Sequence, residues 1–108
     1  AERVGGYLKD GLKHLQTTFS IMGDVRGEGL FLGVEIVDAN GRPGTELAAS
    51  IKNELRARHI LISTDGPFDN VLKIKPPLYF DHENADQLLQ ELKQILINTE
   101  KIDTFKAR

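Results

Sequence analysis

The stretch Asp65-Gly66-Pro67-Phe68-Asp69-Asn70-Val71-Leu72-Lys73-Ile74-Lys75-Pro76-Pro77 constrains this chain more than any other. Asp, Gly, Pro and Asn each favour turns, so residues 65–70 read as a tight loop. The next five residues alternate. Leu72 and Ile74 point to one face of a strand, Val71, Lys73 and Lys75 to the other. Pro76 and Pro77 have no amide hydrogen to give a ladder, so the strand ends there or lies at an edge. Such a unit holds one border of a site in a fixed place.

The segments around it follow from apolar spacing. Val4, Leu8, Leu12, Leu15 and Phe19 recur at steps of three and four and predict a helix over 3–19. Gly5, Gly6 and Gly11 each weaken that helix by about 1 kcal/mol relative to alanine, so it needs a neighbour that approaches closely. Leu30, Leu32, Val34 and Ile36 predict a strand over 30–37, with Gly27 and Gly29 marking a bulge or kink at its start. Residues 38–44 form a turn by composition. Thr45 is the expected N-cap of a second helix over 46–58, with Leu47, Ala48, Ile51 and Leu55 inside. Ile60-Leu61-Ile62 reads as a short buried strand. Asp81 caps a third helix over 82–98, whose stripe is Ala85, Leu88, Leu89, Leu92, Ile95 and Leu96.

The expected domain therefore covers 1–100, followed by a frayed polar tail over 101–108. Its fold class is α+β: a two-layer sandwich with a small, mostly antiparallel sheet and helices on one face. The sheet face bearing Glu35, Lys73 and Lys75 is either solvated or docked on something.

Charge and composition remove several functions. A net charge of -2 disfavours a nucleic-acid surface or a polybasic membrane patch. No apolar run approaches the roughly 20 residues of a membrane-spanning helix. Cysteine is absent, so there is no disulfide framework or thiolate metal site, and a reducing, cytoplasmic compartment fits. His14, His59 and His82 lack the spacing of metal ligands, and no metal site is expected. Ser63-Thr64-Asp65 has no histidine paired with it as a hydrolytic triad needs. Gly27-Glu28-Gly29 lacks the downstream Gly-Lys-Ser/Thr of a phosphate loop. Lys73 and Lys75 either hold an anionic group or form a charged edge that blocks aggregation. The chain opens at Ala1, its only methionine is Met22, and it reads as a piece of a longer protein.

Two blocks carry a family resemblance. Val25-Arg26-Gly27-Glu28-Gly29-Leu30-Phe31-Leu32-Gly33-Val34-Glu35, then Val71-Leu72-Lys73-Ile74-Lys75-Pro76-Pro77-Leu78, resemble the C-terminal small domain of class III pyridoxal-phosphate-dependent aminotransferases. The likeness runs over residues 7–97. It is greatest to the branch of alanine-glyoxylate aminotransferase-like proteins and ethanolamine-phosphate phospho-lyases.

This resemblance implies a large N-terminal domain that carries the Schiff-base lysine and most of the cofactor site. Pyridoxal 5'-phosphate serves the full-length enzyme as an electron sink. No cofactor is expected on this segment alone, and no catalytic residue lies in it. The small domain forms one wall of the substrate site, the full-length enzyme is expected to be a homodimer, and its substrates are small amines or amino acids and keto acids.

Many members hold the substrate carboxylate with an arginine three residues before the double proline, where this chain has Lys73. Others use an arginine near Ser63, also missing here. Arginine meets a carboxylate with a planar fork, whereas lysine is a point charge. Lys73, and secondarily Ser63, are therefore the expected substrate-binding residues. The change suits a substrate whose anionic group is absent, placed elsewhere, or a phosphate. Arg26, Gly27, Gly29, Pro76 and Pro77 read as structural, with Arg26 paired to Asp24 or Glu28. The alternatives are a phospho-lyase acting on a phosphorylated amine such as phosphoethanolamine, or a free-standing α+β ligand-binding or interaction module.

Overall fold

A computed structural model describes residues 2–28, 31–76 and 79–106. Helix α1 (Glu2–Thr18) leads into a hairpin of β1 (Met22–Glu28) and β2 (Phe31–Ile36). Helix α2 (Thr45–Ala57), strands β3 (Ser63–Asp65) and β4 (Val71–Ile74), and helix α3 (His82–Lys106) complete the chain. The four strands form one antiparallel sheet in the order β1-β2-β4-β3. The α+β architecture is the one expected, with an antiparallel sheet under helices.

Strand alternation decides which face is buried. Val25, Leu32, Val34, Ile36, Leu72 and Ile74 are buried on the helix side. They join Leu8, Leu12, Ile51, Leu55, Leu92 and Leu96 in one core. Burying each such aliphatic side chain stabilises the fold by about 1.5–3 kcal/mol. Gly11 shows why α1 tolerates glycine. A Cβ there would stand 2.4 Å from Leu89 Cδ1, so its absence lets α1 settle against α3. At the other side of the helical layer, Arg58 Nε lies 2.9 Å from Glu91 Oε2 and links the end of α2 to α3.

Several local expectations need correction. Met22–Glu28 is itself a strand, and its register shift lies between Met22 and Asp24, at Gly23, rather than at Gly27. Gly27 instead closes the hairpin end of β1 with φ +110°. Gly29, Leu30, Pro77 and Leu78 lie outside the described residues. The apolar triplet 60–62 is not a strand; the strand is Ser63–Asp65. His59 adopts φ +66° as the chain leaves α2, and the register then sets Ser63, not Ile60, beside β4. Leu61 is left 81% exposed.

Thr45 is not the N-cap of α2. Gly44 holds that position with no side-chain cap, and the Thr45 hydroxyl donates to the Phe68 carbonyl at 2.6 Å. Asp81 does cap α3, in a reciprocal pair. Asn84 N donates to Asp81 Oδ1 at 2.9 Å, and Asp81 N donates to Asn84 Oδ1 at 3.0 Å. Helix α3 continues to Lys106, past the helix end expected at residue 98.

Among the described residues no helix is long and apolar enough to cross a membrane, and no group of His, Cys, Asp and Glu is placed to hold a metal.

Candidate functional site

The sheet face turned away from the helices carries the site. Its floor is set by register alone. Arg26 on β1 is opposite Gly33 on β2. Gly33 is opposite Lys73 on β4, and Lys73 is opposite Ser63 on β3. Arg26, Gly33, Lys73 and Ser63 thus form one row across all four strands. Asp24, Glu35, Val71 and Asp65 form the next row on the same face. Over these rows lies an open depression of about 310 Å³, lined by Arg26, Phe31, Gly33, Asp65, Val71 and Lys73 among others.

Two features hold the loop beside it. Asn70, 4% exposed, donates from Nδ2 to the Ile36 carbonyl at 2.8 Å. The Ile36 amide in turn donates to the Asn70 carbonyl at 2.8 Å. The second is the Thr45–Phe68 bond already described. Gly66 and Asp69 take positive φ, +87° and +53°, which turns the loop sharply enough to bring β3 back beside β4. We expect Asn70→Ala to lower unfolding free energy by about 1 kcal/mol, the net worth of one hydrogen bond, since the Ile36 carbonyl still accepts from the Gly44 amide. Urea denaturation of the two proteins measures this.

Lys73 is partly buried, and its Nζ stands 3.6 Å from Asp65 Oδ2 and 5.2 Å from the centre of the Phe31 ring. Lys75 Nζ lies 5.9 Å from the same ring. A cation over an aromatic face is held by the ring quadrupole. The Gly66 backbone N–H, and then Lys73, hold the Asp65 carboxyl below its ordinary range. Arg26 Nη1 donates to Asp24 Oδ2 at 2.9 Å, with both side chains about half exposed. Pairs as exposed as these are screened by water and contribute little, so both cations are available to another anion. Pro76 follows β4 and is half-buried.

The sequence singled out Lys73 and Ser63, and the sheet brings them side by side. It also brings Arg26 and Asp65 to the same depression, which the sequence did not foretell. Only strand register reveals that row, and β1 went unrecognised. The lysines whose burial is described are all at least partly exposed, and the buried side chain of Asn70 is committed to the Ile36 carbonyl.

The two sequence blocks thus fold into adjacent strands with one shared outer face. The family model "Aminotransferase class-III" matches residues 1–96. The chain belongs to the class III aminotransferases. Enzymes of this class depend on pyridoxal phosphate. The chain is 43% identical over 96 residues to an alanine--glyoxylate aminotransferase 2-like protein of Drosophila melanogaster, covering 86% of this chain and 19% of that one. It is 40% identical over 99 residues to ethanolamine-phosphate phospho-lyase homolog 1 of Caenorhabditis elegans, covering 89% and 21%. Among solved structures, a phospholyase from Arthrobacter in complex with phosphoethanolamine superposes with a TM-score of 0.84 at 39% identity, over 89% of this chain and 23% of that one. The chain spans about a fifth of the length of these curated relatives.

Proposed function

We propose that this class III aminotransferase chain acts as the small domain of a full-length pyridoxal-phosphate enzyme and forms one wall of its substrate site. The full-length enzyme transfers an amino group from an amine or amino acid to a keto acid. The observation that carries this is the outer sheet face, where Lys73, in the family's carboxylate-gripping position, lines a depression between Asp65 and Phe31. The cofactor supplies the electron sink when bound. The residues of this chain bind and orient the substrate's anionic end. Lys73 offers it a cation, Ser63 a hydroxyl, and the Phe31 ring keeps one side of the cation dry.

The cofactor and the Schiff-base lysine belong, in this reading, to a preceding large domain. Exposed Phe31, Leu61, Phe68 and Tyr79 support a docked neighbour. A homodimer and a cytoplasmic location complete the proposal. The first follows the family pattern, and the second fits a chain without cysteine. Gly27, Gly29, Pro76 and Pro77 are proposed as structural.

A second reading is favoured by one residue. Lysine at position 73 replaces a planar fork by a point charge, which suits phosphate better than a lone carboxylate. The likeness to phospho-lyases points the same way. On this reading the enzyme eliminates phosphate from a phosphorylated amine such as phosphoethanolamine.

The full-length enzyme, given phosphoethanolamine and a panel of amino donors, decides between them. Phosphate release without keto-acid consumption supports the lyase, and the reverse supports the aminotransferase. Neither product from any substrate defeats both. The 108-residue chain mixed with pyridoxal phosphate is expected to show no saturable absorbance band. A stable one-to-one adduct would overturn the assignment of the cofactor site to another domain.

A further inference from the structure

We infer that Arg26 and Lys73 together, separated by Gly33, form a two-cation seat for the dianionic phosphate of the substrate, with Arg26 a second binding residue rather than a purely structural one. The inference rests on the reading that this sheet face lines the substrate site, and it deepens the phospho-lyase alternative.

Three observations carry it. First, the register puts Arg26, Gly33 and Lys73 in one row on three neighbouring strands, all on the outer face. Adjacent strands lie about 4.8 Å apart, so the two cationic residues stem from backbones roughly 10 Å apart. The long, flexible side chains of Arg26 and Lys73 rise from backbones that far apart, so both can reach one phosphate through charge-assisted hydrogen bonds of about 2.8 Å. Second, the residue between them is glycine. A Cβ at Gly33 would stand 3.2 Å from Val71 Cγ1 and 3.9 Å from Arg26 Cγ, so the floor is open because no side chain rises there. Third, both cations line the same depression, yet each is occupied only by an exposed carboxylate of its own face, Asp24 for Arg26 and Asp65 for Lys73. With Glu35 and Lys75 on the same face, the three acids and three cations bring its net charge near zero. Asp24 and Asp65 also discriminate. A monoanion that displaces one of them exchanges one exposed pair for another and gains little. A dianion engages both cations at once.

Lys73 alone supplies one positive charge against the two negative charges of a phosphate dianion. The second cation and the bare glycine floor are what a phosphate requires. Ser63, opposite Lys73, can add a hydroxyl donor on the far side of the row.

The test uses the full-length holoenzyme, whose cofactor is already in place, titrated calorimetrically at low ionic strength with inorganic phosphate and separately with acetate. We expect Arg26→Gln and Lys73→Gln each to weaken phosphate binding about tenfold, the worth of one charge-assisted hydrogen bond. Arg26→Gln should alter acetate binding by less than about threefold, and Arg26→Lys should recover most of the phosphate affinity. Gly33→Ala, which keeps both charges, should also weaken phosphate binding, by about fivefold, because its methyl group rises between them. Thermal midpoints of all variants are recorded alongside.

Wild-type phosphate affinity in Arg26→Gln would overturn the proposal, as would a parallel fall in phosphate and acetate, or an absence of phosphate binding to the wild type. The underlying reading fails by a different sign. If wild-type enzyme loses its cofactor or turns over no amine, the substrate-wall assignment falls whatever phosphate does. If turnover is normal and only the Arg26 effect is missing, the seat alone falls.

Discussion

On the aminotransferase reading, Lys73→Ala in the full-length enzyme is expected to raise the substrate KM about thirtyfold while leaving cofactor retention and kcat within about twofold. Lys73 is partly buried on a central strand, stands 3.6 Å from Asp65 and lies over the Phe31 ring. A cation held between Asp65 and the Phe31 ring loses little freedom when an anion arrives, so its hydrogen bond to substrate falls in the stronger, charge-assisted range of about 1.5–3 kcal/mol. About 2 kcal/mol, within that range, is about thirtyfold in affinity. On that reading the effect belongs in KM because the substrate's anionic end neither gains nor loses a bond; on the phospho-lyase reading the phosphate is the leaving group, and a fall in kcat accompanies the rise in KM. Loss of cofactor before any change in KM would place Lys73 in the wrong site. Lys73→Arg gives the complementary reading. Arginine restores the planar fork, so improved turnover of an ordinary α-amino acid would show that the native substrate lacks that carboxylate contact.

The fold was legible wherever burial imposes a period. Leu8, Leu12 and Leu15 marked α1, Ala85 to Leu96 marked α3, and Leu72 with Ile74 marked the inner face of β4; all of these are buried. Strand β1 was not legible. Gly23, Asp24, Arg26 and Gly27 leave only Met22 and Val25 buried, and the register shift between Met22 and Asp24 breaks even that alternation. Strand β3 is three polar residues on a sheet edge, so hydrogen bonding to β4 defines it and no apolar signal announces it. The apolar triplet before it drew the expectation three residues too early.

The site was half legible for the same reason. Lys73 and Ser63 stood out through a resemblance. Their adjacency, and the arrival of Arg26 and Asp65, depend on pairing between segments up to 47 residues apart, from Arg26 to Lys73. Local sequence carries no register between strands so distant. What it does carry is the glycine at position 33, which is costly in a strand interior and so asks for a reason. The open floor between two cations supplies one.

Gly27→Ala is expected to destabilise the protein by about 3 kcal/mol, a larger cost than any surface change on this face. Gly27 holds φ +110°, a conformation that L side chains rarely adopt and that costs about 1–2 kcal/mol once a Cβ is present. Space is also lacking. The added Cβ would stand 2.6 Å from the Phe31 carbonyl oxygen and 3.1 Å from Leu32 Cα, both backbone atoms of the paired strand. A flexible side chain could swing away, but a paired backbone cannot move without breaking the β1–β2 ladder. The β1–β2 pairing carries Arg26 opposite Gly33, so loss of registry there reaches the anion-binding row. Two measurements separate these consequences. Urea denaturation reports the stability loss, and phosphate titration of the folded fraction reports the row. A Gly27→Ala protein as stable as the wild type would show that the hairpin end closes by some other backbone path. Unchanged phosphate affinity in a destabilised protein would show that the row is held by β4 and β2 without help from β1.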